Sequence, residues 1–231
     1  MRKTILTFVL LSTLMARLWA GDSARFLNLG FSDDSRYFMF GQYGIYNGTS
    51  IPYADCYIVD VQKNDFVPQG RWSERFADAQ QEAGNDGLGA VLRIVEKNYA
   101  KLRSYRINHL LTGRIVYVLI DGQIPISSLE FRDFNSSSLY AVRLSQDSRG
   151  SGTGVSASFW IEVDVKYASG KTETHKIGRP GYYRQGVKDY RIKYLLLAPD
   201  GKSLIFVMEK TVVDASGESI RYMVETRRIN N

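Results

Sequence analysis

Residues 194–210 (YLLLAPDGKSLIFVMEK) join two apolar runs through Pro199-Asp200-Gly201. Asp-Gly is a tight-turn dipeptide, because glycine takes the positive φ that a sharp reversal needs. Residues 195–197 before the turn and 204–208 after it are apolar in succession. A strand with one wet face alternates, so unbroken apolar runs predict strands covered on both faces. Near the start of the chain LGFSDDSRYFMF repeats the plan. At an offset of 166 residues Asp34 falls on Asp200, Arg36 on Lys202 and Phe40 on Phe206. Two terminal β-hairpins of one type therefore organise the expected fold.

Between them the pattern changes twice. A strand from Phe26, a turn at Asp33-Asp34-Ser35, a strand over 37–40, a Gly/Asn-rich loop and a strand over 55–61 lead to Val67-Pro68-Gln69-Gly70, which ends the first β region. Residues 73–106 then read as a helical insertion. Ser73 caps a first helix with Phe76, Ala79 and Ala83 on one side, and residues 84–87 break it. A second helix carries Leu88, Val91, Leu92, Val95, Tyr99 and Leu102 as an apolar stripe that packs on the core. From Arg114 the chain returns to strands, at 114–120, 128–134 and 139–144, followed by a flexible segment over 146–156. In FWIEVDVKY, Ile161, Val163 and Val165 face inward while Trp160, Glu162, Asp164 and Lys166 face solvent. Strands over 172–177 and 219–225 complete about ten. The expectation is a mainly β fold, an antiparallel sandwich or barrel, in a single domain over 21–231 with the helical insertion at 73–106.

Arg2-Lys3, an apolar stretch over 4–15 and Ala20 have the order of a secretory signal peptide, residues 1–20. The stretch is too short for a membrane span, which needs about 20 residues. The mature chain is expected to begin at Gly21, to be periplasmic or secreted, and not to insert stably in a membrane. Removing Arg2, Lys3 and Arg17 lowers the net charge from +6 to +3. A charge that modest does not point to nucleic acid. Cys56 is the one cysteine, which excludes an internal disulfide. Within its strand it reads as a small core residue.

Two resemblances follow from these motifs. SDDSRYFMF with CYIVDV, and APDGKSLIFV with IRYMVE, resemble the repeat of TolB-type β-propellers. There a Ser-Pro-Asp-Gly-Lys turn leads into an apolar strand, which implies incomplete propeller-like blades as an alternative architecture. The order NLGFSDDSRYFMFGQYG, a mid-chain helix, IGRPGYYRQGVKDYRI and LLLAPDGKSLIFVMEK resembles, over nearly the whole chain, a family of predicted secreted bacterial proteins of unknown function. That likeness implies export and a shared fold, and brings no catalytic residues.

No catalytic, metal or cofactor site is expected. His109 and His175 lie far apart without ligand-spaced partners, and no Gly-x-Ser-x-Gly elbow occurs. Glu162 and Asp164 share a strand face, as glycosidase carboxylates can, but with Lys166 beside them they read as a solvated face. Asp33 and Asp34 read as turn residues. Over residues 176–193 six cations stand against Asp189 alone, with tyrosines interleaved. Tyrosine and arginine anchor interfaces, and Arg179-Pro180-Gly181 makes a stiff turn to present them. The candidate binding residues are Arg179, Tyr182, Tyr183, Arg184, Lys188 and Tyr190. The function expected is non-catalytic binding of an envelope protein or anionic envelope polymer. Two alternatives stay open: an envelope hydrolase, which predicts a cleft of acids with raised pKa, and a structural subunit that assembles through hairpin edges. Ligand identity and oligomeric state are not encoded in any motif.

Overall fold

A computed structural model describes residues 21–46, 48–82 and 85–229; the signal-peptide reading of 1–20, and Ala83 of the first expected helix, lie outside them. Three antiparallel sheets account for most of these residues. The first has the order β4-β3-β2-β1-β5 and comprises β1 (Arg25–Ser32), β2 (Tyr37–Ile45), β3 (Pro52–Asp60), β4 (Asp65–Arg75) and β5 (Ile107–Asn108). The second, β14-β13-β12-β6, comprises β6 (Arg114–Val118), β12 (Val187–Leu197), β13 (Ser203–Asp214) and β14 (Gly217–Arg228). The third, β10-β9-β8-β7, comprises β7 (Ser128–Asp133), β8 (Ser138–Arg149), β9 (Ser156–Lys166) and β10 (Thr172–Gly178), with β11 (Arg184–Gln185) paired to β9.

The second sheet lies in the middle, and its unbroken apolar runs are the reason. Leu195, Leu197, Leu204, Phe206 and Met208 pack into one core with Phe159, Ile161, Val163 and Val165 of the third sheet. Leu196, Ile205 and Val207 point the other way, into a core with Phe31, Phe38 and Phe40 of the first sheet. Successive side chains of a strand alternate between faces, so only a sheet dry on both sides needs every position apolar. In β2, Met39 turns outward from Phe38 and Phe40 to meet Cys56, Ile58 and the helix residues Val91 and Ile94. The layers therefore run third sheet, second sheet, first sheet, helix, in a sandwich-like stack. Cys56 is buried as expected, and burial pushes its thiol up to about 12.

The two hairpin turns share one set of hydrogen bonds and one backbone conformation. Asp34 and Asp200 each accept from the backbone two residues on, Arg36 N–H at 3.1 Å and Lys202 N–H at 2.9 Å. Ser35 and Gly201 both adopt a left-handed conformation, φ 58° and 68°. Their amides donate to Ser32 and Ala198 carbonyls at 2.8 Å. The two turns also touch, since Asp200 N–H donates to Ser35 Oγ at 3.2 Å. The propeller reading gains no support beyond this likeness, because the hairpins belong to sheets that stack face to face.

Several expectations are corrected. The described strands number fourteen, the excess coming from β4 and the short pieces β5 and β11. The β region does not end at 67–70, and no helix forms at 73–82: β4 runs on to Arg75. It is an edge strand, where Pro68 is tolerated, and a register shift with Gln69 at φ 55° absorbs the turn-like residues. Ser73 donates its hydroxyl across the ladder to Asp55 instead of capping a helix. Among the described residues α-helix forms at α1 (Gly89–Lys97) and α2 (Tyr99–Ser104), and the buried stripe is rotated onto Ala90, Val91, Ile94 and Leu102. Leu92 and Tyr99 stand 59% and 58% exposed. Residues 146–149 and 156 are paired within β8 and β9, so the segment read as flexible is ladder at both ends and loop only over 150–155.

Candidate binding cleft

β14 is the outer strand of the middle sheet, and the rims of the two flanking sheets overhang it. Between the rims lies a cleft of about 550 Å³, within the size range of small-ligand sites. Tyr57 of β3 and Asp65, Phe66 and Arg71 of β4 form one wall, with Asn64 from the turn between those strands. Gly178, Arg179, Tyr182 and Arg184 form the other. Residues 222–225 of β14 and Lys210 of β13 make the floor.

Local chemistry shapes the second wall. Gly178 closes β10 at φ 86°, where a Cβ would lie 3.0 Å from the Phe159 carbonyl oxygen. The chain then turns through Pro180 and Gly181, closed by Tyr182 N–H donating to Arg179 O at 3.1 Å. β11 returns it to the ladder opposite Ala157. Arg184 thereby projects among three rings, its guanidinium 5.1 Å from Tyr182, 5.4 Å from Phe159 and 5.9 Å from Tyr190. Guanidinium over ring faces is a favourable arrangement, stronger where water is excluded.

Charge in the cleft is unevenly matched. Glu225 is buried; its Oε2 accepts from Asn64 Nδ2 at 2.5 Å and its Oε1 lies 3.8 Å from Arg184 Nη2. Burial raises its pKa, against the opposing pull of Asn64 and Arg184. Burial lowers the pKa of Lys210, assisted by the charges of Arg184 and Arg221. Among the described residues Arg71, Arg179 and Lys210 make no ion pair. Arg71 instead lies 5.4 Å over the Phe66 ring.

Of the six residues expected from sequence, Arg179, Tyr182 and Arg184 line this cleft. Tyr183 lies away from it, donating its hydroxyl to Asp147 with the Arg149 guanidinium 3.8 Å from its ring. Lys188 pairs with Glu218 at 2.7 Å. Tyr190 is 1% exposed, packs 4.4 Å from the Phe159 ring, and donates to Ala157 O at 3.4 Å. It belongs to the core behind the cleft and offers no surface to a ligand. Tyr57, Asn64, Phe66, Arg71, Lys210 and Glu225 complete the site without any local sequence signal.

The carboxylates weighed for glycoside chemistry sit elsewhere, on the outward face of the third sheet. Arg143 Nη2 donates to Glu162 Oε1 and Asp164 Oδ2, both at 2.7 Å, and Thr174 Oγ1 donates to Asp164 Oδ1 at 2.6 Å. The Thr174 hydroxyl, then Arg143, hold the Asp164 carboxyl below its usual range. Asp33 pairs with Arg106 at 3.2 Å in its turn. The two histidines remain apart. His175 Nδ1 accepts from Arg227 Nε at 3.2 Å, and His109 Nδ1 meets Leu29 O at 2.6 Å. Among the described residues no group of three His, Cys, Asp or Glu side chains is placed to hold a metal ion.

Fold and site together define a three-sheet β-sandwich-like protein with an open, cation-rich cleft along a sheet edge. Residues 39–228 match the family described as predicted secreted protein (DUF2259), and the chain belongs to that family. No curated protein matches it in sequence. Among the described residues no helix is long and apolar enough to cross a membrane.

Proposed function

We propose that this protein is an exported, non-catalytic binding domain of the bacterial envelope, periplasmic or extracellular, whose β14 cleft receives an acidic partner, either a protein or an anionic polymer. The observation that carries the proposal is the surplus of cations: Arg71, Arg179 and Lys210 line the cleft without an ion pair of their own, beside exposed Tyr182 and Phe66. Unmatched charge in a concave site concentrates counter-charged partners, and aromatic walls supply contact area. The hydrolase reading draws on the raised pKa of Glu225, yet both oxygens of that carboxylate already face Asn64 and Arg184.

Titration with poly-L-glutamate and poly-L-lysine tests the proposal. Poly-L-glutamate is expected to bind with an affinity that falls as salt rises, and the Arg71→Glu/Arg179→Glu protein is expected to lose that binding at unchanged Tm. Equal binding by both proteins would contradict it. A structural-subunit reading has its own support in Ile115, Ile120 and Ile124, exposed on and after the edge strand β6. It predicts concentration-dependent self-association in sedimentation at micromolar protein, and a monomer throughout would remove it.

A further inference from the structure

We propose that the cleft recognises a short extended peptide of the pattern acidic–apolar–acidic, paired through its backbone to Val224 on the open edge of β14; this rests on the cleft being the binding site. The inference begins with how that edge is closed elsewhere. Ile220 N–H donates to Asp22 O at 2.9 Å, and Ile220 O accepts from Ala24 N–H at 3.1 Å. Tyr222 N–H donates to Gln42 Oε1, and Thr226 N–H to Asn64 Oδ1, each at 2.7 Å. Alternate residues of an antiparallel strand point their backbone groups to the same side. Ile220, Tyr222 and Thr226 therefore mark the edge that faces away from β13, and Val224 belongs to the same series. Its N–H and C=O have no partner among the described residues, and Val224 lines the cleft. Unpaired edges are ordinarily covered or blocked. On this one the N–H groups on both sides of Val224, those of Tyr222 and Thr226, are taken by side chains, and Val224 stands open where the cleft gives access.

The side-chain pattern follows from strand geometry. A ligand residue opposite Val224 exchanges both backbone bonds with it, and directly opposed residues share a face. Val224 packs into the core between the first and second sheets, so the opposed side chain meets Tyr57, Val59 and Phe66, with Arg71 across the ladder from Tyr57 and over the Phe66 ring. The ligand residues on either side face the other way, as Met223 and Glu225 do. There they meet Arg179, Arg184 and Lys210 against the one carboxylate of Glu225. Acidic flanks around an apolar centre satisfy both walls. A sugar polymer presents no N–H and C=O pair at the strand repeat of about 3.4 Å, which favours a peptide.

Calorimetric titration of the protein with acetyl-Ala-Glu-Val-Glu-Ala-amide tests this. The controls are the same peptide N-methylated at Val, the Lys-Val-Lys counterpart, and a trigalacturonate of similar charge. The acidic peptide is expected to bind, N-methylation to weaken it about tenfold through loss of a backbone bond, and Arg179→Glu to weaken it by a similar factor. The lysine peptide and the trigalacturonate are expected not to bind. If methylation changes nothing, or if trigalacturonate binds as well as the peptide, backbone pairing is wrong, while sensitivity to Arg179→Glu still upholds the cleft. If Arg179→Glu has no effect, or no acidic probe binds, the cleft reading falls as well.

Discussion

Two carboxylates in neighbouring sheets, Glu225 in the cleft and Asp164 on the outward face of the third sheet, shift in opposite directions. Burial raises Glu225, whereas the Thr174 hydroxyl and Arg143 lower Asp164. Their surroundings are similar in composition, each with arginine, lysine, acid and hydroxyl or amide groups at hand. On the outward face these groups are consumed by one another, Arg143 bridging Glu162 and Asp164 and Lys176 lying 3.9 Å from Glu162. In the cleft Glu225 is enclosed, and Arg71, Arg179 and Lys210 are left over. Charge content alone does not mark a site. Curvature and unmatched charge do, because only there does a ligand find partners the fold has not already supplied.

Removing each acid separates the two regions most sharply. Glu225→Ala leaves Arg184 beside an uncompensated buried position and is expected to cost about 3 kcal/mol in urea unfolding. Asp164→Ala on the wet face is expected to cost about 0.5 kcal/mol or less. Equal losses would erase the distinction. Next in size are the charge reversals. Arg179→Glu is expected to weaken poly-L-glutamate binding about tenfold at unchanged Tm, and Arg143→Glu to leave binding within about twofold. A comparable loss from Arg143→Glu would mean that general surface charge, not the cleft, attracts the ligand.

The smallest effect is the pH response, which sharpens the contrast by its sign. The raised pKa of Glu225 gives stabilisation that is complete below the unfolded value of about 4.3 and is lost as pH rises through the folded value. The Tm of the native protein relative to Glu225→Gln should therefore fall as pH rises from 4 towards 7. The lowered pKa of Asp164 gives stabilisation present above the unfolded value of about 3.9 and lost as pH falls through the folded value. The native Tm relative to Asp164→Asn should therefore fall on acidification. Two slopes of the same sign would show that the carboxylates share one environment.

The central layer was legible because its signal is contiguous: apolar runs on both sides of Asp200-Gly201 require two dry faces, and the Asp34 turn carries the same side-chain bond. β4 was not, since Phe76 and Ala79 mimic a helical period and only pairing with β3 reveals a strand reaching Arg75. The wall at 178–184 was legible for its clustered Arg and Tyr. Tyr190 shares that composition without sharing the site, because the loop ends earlier than its composition suggests: β12 begins at Val187, and Tyr190 and Ile192 turn inward. The opposite wall came from elsewhere in the chain. Asn64 reaches Glu225 across a sequence separation of 161 residues, and no local pattern announces a contact made only by stacking sheets.

The most direct test is an amide-resolved NMR titration of the ¹⁵N-labelled protein with acetyl-Ala-Glu-Val-Glu-Ala-amide. The cleft predicts shifts concentrated at Val224, Glu225, Phe66 and Arg179, with Arg143, Glu162 and Asp164 unmoved. Shifts centred on the outward face of the third sheet, or an unmoved Val224 amide at saturation, would contradict it.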